Sequence, residues 1–228
     1  MLYPLSYGGT DILAGWHNLG HVKDMLVWID CEMTGLNLAT DALIEVAALV
    51  TDGELNVQGE GLDLLIPPSK QALAQMGDFV LKMHTESGLL DELETATLSM
   101  ADAEAQLLDY IKTYAPEARK APLAGNTVGT DRTFLARDMP ELEGHLHYRN
   151  VDVSSIKELA RRWYPKVCYQ APEKNGNHRA LADIQESIEE LKYYREAVFV
   201  PEPGPSSTEL KAIAAKHQGE LTGFAAKA

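Results

Sequence analysis

Positive charge is in short supply in this chain. Its 228 residues carry 20 Lys and Arg against 34 Asp and Glu, a net charge of −14. Proteins that coat long nucleic acids without regard to sequence need arrays of Lys and Arg, and this balance argues against that class. It leaves room for short substrates with few phosphates, because divalent cations invert the local potential of an acidic site. Cysteine is almost missing. Cys31 and Cys168 follow no metal-ligand spacing and make no disulfide framework, which points to a reduced, cytoplasmic setting. Long apolar runs are missing too. No window approaches the roughly 20 apolar residues of a membrane span, so no membrane association is expected. The N-terminal stretch lacks the apolar run of a signal peptide. No internal repeat is visible.

What is present is a hydrophobic fraction of 45%, enough for a sizeable core. Residues 1–24 scatter Gly, His and Asn without periodicity and read as an extension, with Met25 an alternative start. Residues 25–197 read as one domain and 198–228 as a tail, introduced by the Pro-rich stretch 201–207. Met25 to Cys31 and Leu43 to Thr51 are strands apolar on both faces. Asp52-Gly53 turns the chain, and a third strand is expected within Glu54 to Ile66. Gln71 to Leu93 predicts two short helices divided near His84. Ser99 N-caps a helix to Tyr114, with Leu107, Leu108 and Ile111 on its apolar stripe. Pro122 to Gly125 is a short strand, Thr130 caps a helix to Asp138, and Asn150 to Val153 is a brief strand. Ser154 or Ser155 caps a helix to Trp163, which Pro165 stops. Asn177 caps a long helix from His178 to Ala197, and Glu209 to Lys216 is a short peripheral helix. An antiparallel opening followed by alternating short strands and helices predicts an α/β fold with a mixed sheet flanked by helices.

The sharpest local signal is Asp30-Cys-Glu32 at the end of the first strand. Residues two apart on a strand share a face, so two carboxylates sit together where burial and repulsion demand a cation. Oxygen ligands suit Mg²⁺ or Mn²⁺. Asp131 follows a buried strand and a Gly-containing loop, at a helix start. His178 and Asp183 are five apart, about 140° around a helix, and Asp183 interrupts an apolar surface. Taken singly, each has an ordinary explanation: a solvated strand end, a carboxylate favoured by a helix dipole, a capping histidine. His84 by itself reads as a surface histidine beside a bend at Ser87-Gly88. His145 and His147 suggest packing or an interface. Asp152 suits a helix start or the support of a neighbouring group.

Together, three segments resemble the oligoribonuclease family, within the superfamily of 3′→5′ exonucleases named for an Asp-Glu-Asp-Asp ligand set and a histidine. They are Trp28-Ile-Asp-Cys-Glu-Met-Thr-Gly-Leu36, Gly125-Asn-Thr-Val-Gly-Thr-Asp-Arg-Thr-Phe134 and Asn177-His-Arg-Ala-Leu-Ala-Asp-Ile184. The segment from Leu146 to Trp163 is close to that family in particular. The resemblance spans roughly Met25 to Ala197. It implies a ribonuclease H-like fold, a homodimer, and hydrolysis of short single-stranded RNA, especially diribonucleotides. It implies two divalent cations held by Asp30, Glu32, Asp131 and Asp183, with His178 as general base. It further implies Leu36 as an apolar wedge between bases, Phe79 as a stacking platform where tryptophan is usual, and His84 near the terminal phosphate. Thr127, Arg149 and Ser154 would cap the 5′ phosphate, with Tyr148 contributed across the dimer interface. Asn150-Val151 departs from the usual tyrosine-leucine. Two alternatives stay open: a related exonuclease acting on single-stranded DNA or tRNA ends, and a non-catalytic nucleic-acid-binding domain. The Tyr148-Arg149 region and His84 favour the oligoribonuclease reading.

Overall fold

The computed structural model describes residues 24–174 and 178–225. Five strands form one sheet in the order β3-β2-β1-β4-β5. Strands β1 (Leu26–Met33), β2 (Leu43–Thr51) and β3 (Val57–Leu65) pair antiparallel; β4 (Pro122–Gly125) and β5 (His147–Asp152) continue in parallel beside β1. The sheet is therefore mixed, and helices cover both faces.

Alternation along β1 decides which side chains meet which layer. Val27, Ile29, Cys31 and Met33 enter one core with Leu107 and Ile111 of α4 (Met100–Tyr114), Phe134 and Leu135 of α5 (Gly129–Asp138) and Leu142 of α6 (Pro140–His145). Trp28 enters the other, with Val153 and Ala160 of α7 (Val153–Trp163) and Ile184, Ile188 and Tyr194 of α9 (Ala180–Val198). The short helix α8 (Pro165–Tyr169) lies between those two in sequence. Because side chains alternate, Asp30 and Glu32 share Trp28's face and look toward α9. On β2, Glu45 shares the face of Ala47 and Leu49, which pack in the same core. Gly61 on β3, at φ +86°, lets α9 lie close: a Cβ there would meet Leu181 Cδ1 at 2.8 Å.

Several boundaries differ from expectation, each for a local reason. Three helices, not two, fill the segment after β3: α1 (Lys70–Ala74), α2 (Asp78–Glu86) and α3 (Leu89–Leu93). The break falls at Ser87-Gly88, where Gly88 adopts φ +77°, while His84 lies inside α2. Ser99 does cap α4, accepting the Asp102 amide. Helix α5 starts at Gly129 with Val128 at its cap, so Thr130 is inside it. Asp152, not Ser154 or Ser155, caps α7 by accepting the Ser154 amide at 2.9 Å. Pro165 both follows the end of α7 and opens α8, a position where its missing N–H costs nothing. Strand β5 begins three residues early, since the His147 amide donates to Ala121 O at 2.8 Å and extends the pairing. Helix α9 starts at Ala180, two residues later than expected. The anticipated cap Asn177 lies outside the described residues. The tail helix α10 (Ser207–Ala225) is longer than anticipated. No helix among the described residues is long and apolar enough to cross a membrane.

Candidate metal and catalytic site

Four carboxylates from three elements gather at the end of β1. Asp30 and Glu32 come from that strand. Asp131, in the first turn of α5, accepts the Cys31 amide through Oδ1 at 3.1 Å, which holds it against β1 at the residue between the other two. Asp183, in the first turn of α9, lies across from Glu32. Ligand atoms of Glu32, His178 and Asp183 all fall within 4.8 Å of one another, a group able to hold a metal ion. The sheet face described above is what makes α9 deliver Asp183 and its preceding histidine to this edge.

Burial and mutual repulsion dominate the electrostatics of the cluster. Burial pushes Glu32 up to about 8, with Glu45, Asp183 and Asp131 adding to the effect. Burial raises Asp131 to about 6 although backbone donors, the Cys31 amide among them, oppose it. Asp30 is driven well above the carboxylate range by burial, then by Asp131 and Glu32. Burial raises Asp183 too, with Glu186 adding to it. Carboxylates that repel each other in a sheltered place fit a hard divalent cation, which would neutralise them and restore their ionised form.

His178 is exposed and precedes α9 in a left-handed conformation, φ +50°. The expectation of two residues 140° apart on one helix gives way to a histidine on the approach and an aspartate in the first turn, which can reach one point. His84 is fully buried, not a surface side chain. Its Nε2 sits 2.9 Å from Met33 O, and its Nδ1 lies 3.9 Å from Glu32 Oε2 without a hydrogen-bond partner. Burial lowers its pKa, and Nε2 carries the proton of the contact because the Met33 carbonyl can only accept. A histidine next to a bend carried no mark of this burial.

The other singled-out residues form the surroundings. Leu36 is 75% exposed and Phe79 79% exposed. The loop bearing Leu36 is tied down locally. Asp41 Oδ2 accepts the Asn37 amide at 2.7 Å, and its carboxylate fills the space a Cβ at Gly35 would need. Arg137 of α5 donates to Leu38 O. Phe79 borders a hollow of about 540 Å³ that also takes in Met83, Ser87, His178 and Arg179. Thr127 and Ser154 bring their hydroxyls to 3.1 Å, and Asp152 Oδ1 accepts both of their amides. Ser154 in turn donates to Asn126 Oδ1 at 2.9 Å. Asn126 is oriented by donating to Ser187 Oγ and Glu190 Oε2. Tyr148 is 73% exposed on β5, with the Arg149 guanidinium 5.4 Å from its ring centre. His145 packs inward, its Nε2 2.9 Å from Ala115 O, and His147 Nδ1 accepts the Arg149 amide. Among the described residues, neither belongs to a group able to hold a metal ion.

Sequence reasoning missed Glu45 and Arg179. Glu45 is completely buried and stands opposite Glu32 in the β1–β2 register. Burial, then Asp63, raises it to about 7, while Arg179 opposes the rise. One signal was available: Glu45 is the single charge in the nine-residue apolar strand LIEVAALVT.

A family model described as "Exonuclease" matches residues 27–191. A relative named oligoribonuclease from Cutibacterium acnes is 70% identical over 199 residues, covering 87% of this chain and 98% of its own. Another of that name, from Streptomyces coelicolor, is 67% identical over 86% of this chain and 98% of its own. Among solved structures, the zinc-bound E. coli ExoI–ssDNA complex superposes with TM-score 0.60 at 16% identity over 77% of this chain. Exonuclease I from Methylocaldum szegediense gives 0.56 at 19% identity over 76%. This chain spans only 41% of either of those longer proteins, and the likeness establishes the ribonuclease H-like fold.

Proposed function

The chain belongs to the oligoribonucleases within the exonuclease family, and from that membership we propose that it trims RNA fragments of a few nucleotides, above all dinucleotides, to nucleoside 5′-monophosphates. It is an RNA-degrading 3′→5′ exonuclease, an enzyme that cleaves phosphodiester bonds. The observation that supports a metal-dependent site is the approach of Glu32, His178 and Asp183 to within 4.8 Å, in an acidic cluster with Asp30 and Asp131.

In this reading Asp30, Glu32, Asp131 and Asp183 hold two divalent cations, Mg²⁺ or Mn²⁺. When bound, the cations supply charge neutralisation at the scissile phosphate and a more acidic attacking water. His178, exposed at the mouth of the site, accepts the proton of that water as it attacks the last phosphodiester. Leu36 wedges between bases and Phe79 offers a ring for stacking. His84 orders the backbone beside Glu32, near the terminal phosphate. Thr127, Ser154 and Arg149 close the channel on the 5′ phosphate through charge-assisted contacts. Closure one nucleotide beyond the cut favours dinucleotides, and a longer strand meets acidic surface. The catalytic unit is residues 25–197, working as a cytoplasmic homodimer in which Tyr148 reaches the neighbouring subunit's site.

The test is mass-resolved digestion of 5′-phosphorylated RNA of two, five and ten nucleotides, with Mn²⁺ or with chelator. Monophosphates should appear only with metal, and kcat/KM should be highest for two nucleotides. A clear preference for ten would overturn the length reading, and undiminished turnover in chelator the metal reading.

A further inference from the structure

Arg179 follows His178 directly and is gripped from two directions. Its Nε donates to Glu45 Oε1 at 3.0 Å, and its two terminal nitrogens donate to the two carboxylate oxygens of Glu92 on α3, at 2.7 and 2.9 Å. The other oxygen of Glu45 faces the Ala180 amide at 3.4 Å, the first N–H of α9. Glu45 is thus committed on both sides to the two residues after His178. It is completely buried on β2, directly opposite Glu32 of β1. A fork-to-fork arginine contact fixes orientation as well as distance. Glu45 is fully buried while Arg179 is a quarter exposed and Glu92 half exposed, so desolvation of Glu45 offsets much of the attraction on one arm and solvent screens the other. The placement of these ion pairs therefore calls for a different explanation.

His178 supplies one. A left-handed backbone is uncommon at residues other than glycine, although histidine adopts it more readily than most, and His178 holds it at φ +50°. The Arg179 side chain ties the approach to α9 onto β2 and α3 at that point. We propose that the Glu45–Arg179–Glu92 clamp is a positioning device for His178, holding the approach to α9 so that the imidazole stays within reach of Glu32 and Asp183. Arg179 is a positioning residue, acting through its neighbour. The proposal rests on the reading of His178 as general base, and its test keeps the two apart.

Glu92→Gln loosens one arm at a half-exposed side chain and leaves the buried Glu45 contact in place. Arg179→Lys keeps the charge and loses the fork. Each is measured alone and in a His178→Ala background, under single-turnover conditions with a 5′-phosphorylated diribonucleotide and Mn²⁺. Mn²⁺ affinity is followed by calorimetry. The expected result is a rate about tenfold lower in each single variant, the scale of losing an orienting partner. KM and Mn²⁺ affinity should stay within about a factor of two, and neither substitution should have a further effect once His178 is gone. Long-range ¹H–¹⁵N spectra of the imidazoles should show one narrow His178 signal in the parent, and a broadened or split one in Glu92→Gln. Unchanged rates, losses that multiply with His178→Ala, or an unchanged His178 signal would overturn the clamp. If Arg179→Lys does not fold, Glu92→Gln decides. A parent protein that leaves the dinucleotide intact counts against the nuclease reading, and the imidazole spectra still judge the clamp.

Discussion

Consider the protein in excess chelator, with the pH raised from 5 to 8.5. Glu32 titrates near its ordinary 4.5 in the unfolded chain and near 8 in the folded one. Between those values the folded state holds a proton that the unfolded state has released. Stability must therefore fall as pH rises, the reverse of a salt-bridged carboxylate. At about 1.4 kcal/mol per pH unit, the full interval corresponds to roughly 4 to 5 kcal/mol, reached only above pH 8. The Glu32 side chain is 11% exposed, so solvent screens little of this. Asp131 at about 6 and Glu45 at about 7 act with the same sign. Replacing Glu32 by Gln removes one of the repelling charges. Its melting temperature without metal should match the parent's near pH 5 and exceed it by about 5–10 °C at pH 8, for a net gain of roughly 2 to 3 kcal/mol in a domain of this size. Adding Mn²⁺ should raise the parent strongly and the variant weakly, because cation binding returns the carboxylates to their ionised form. Scanning calorimetry across this pH range, with and without metal, measures all of it. A metal-free parent whose melting point is flat or rising from pH 5 to 8, or a Glu32→Gln variant that melts below the parent at pH 8, would refute the argument that burial and mutual repulsion dominate this cluster.

Other expectations follow from the same geometry. Asp183→Ala, at a partly exposed helix start, should nearly abolish hydrolysis while circular dichroism stays that of the parent; full activity with contaminating metal controlled would remove it from the ligand set. His178→Ala should depress turnover far more than dinucleotide binding, since a general base acts in the transition state; equal weakening of binding with unchanged turnover would contradict that role. Phe79→Ala should raise KM about tenfold at nearly constant kcat, the value of one lost base–aromatic contact, and an unchanged KM would show that the exposed ring stacks on nothing.

Much of this was legible in the linear pattern because it depends on periodicity. The two-faced apolar runs of β1 and β2 have to be interior strands, and Asp30-Cys-Glu32 has to place two carboxylates on one face. The Ser99 cap, the bend at Gly88 and the apolar stripe of α4 are local chemistry as well. Helix boundaries were harder. Asp152 and Ser154 are both good capping residues, and the choice between them turns on Asp152 also receiving the Thr127 amide from a loop 25 residues earlier. His84 looked like a surface histidine because its burial arises from α2 folding over the end of β1.

The chain by itself determined the alternation that sorts Trp28, Asp30 and Glu32 from Val27, Ile29 and Cys31, and with it the existence of an acidic strand end needing a counter-charge. Only the tertiary structure decided what meets that end. Asp131 arrives 100 residues later through a hydrogen bond to Cys31, Asp183 arrives on a helix that must cover the Trp28 face, and His178 arrives on the segment leading into that helix. Glu45 and Arg179 acquire their relation only through the strand register and the docking of α9 and α3. The physical reason is that periodicity is a property of neighbouring residues, whereas the field at a carboxylate is summed over everything the fold brings close to it.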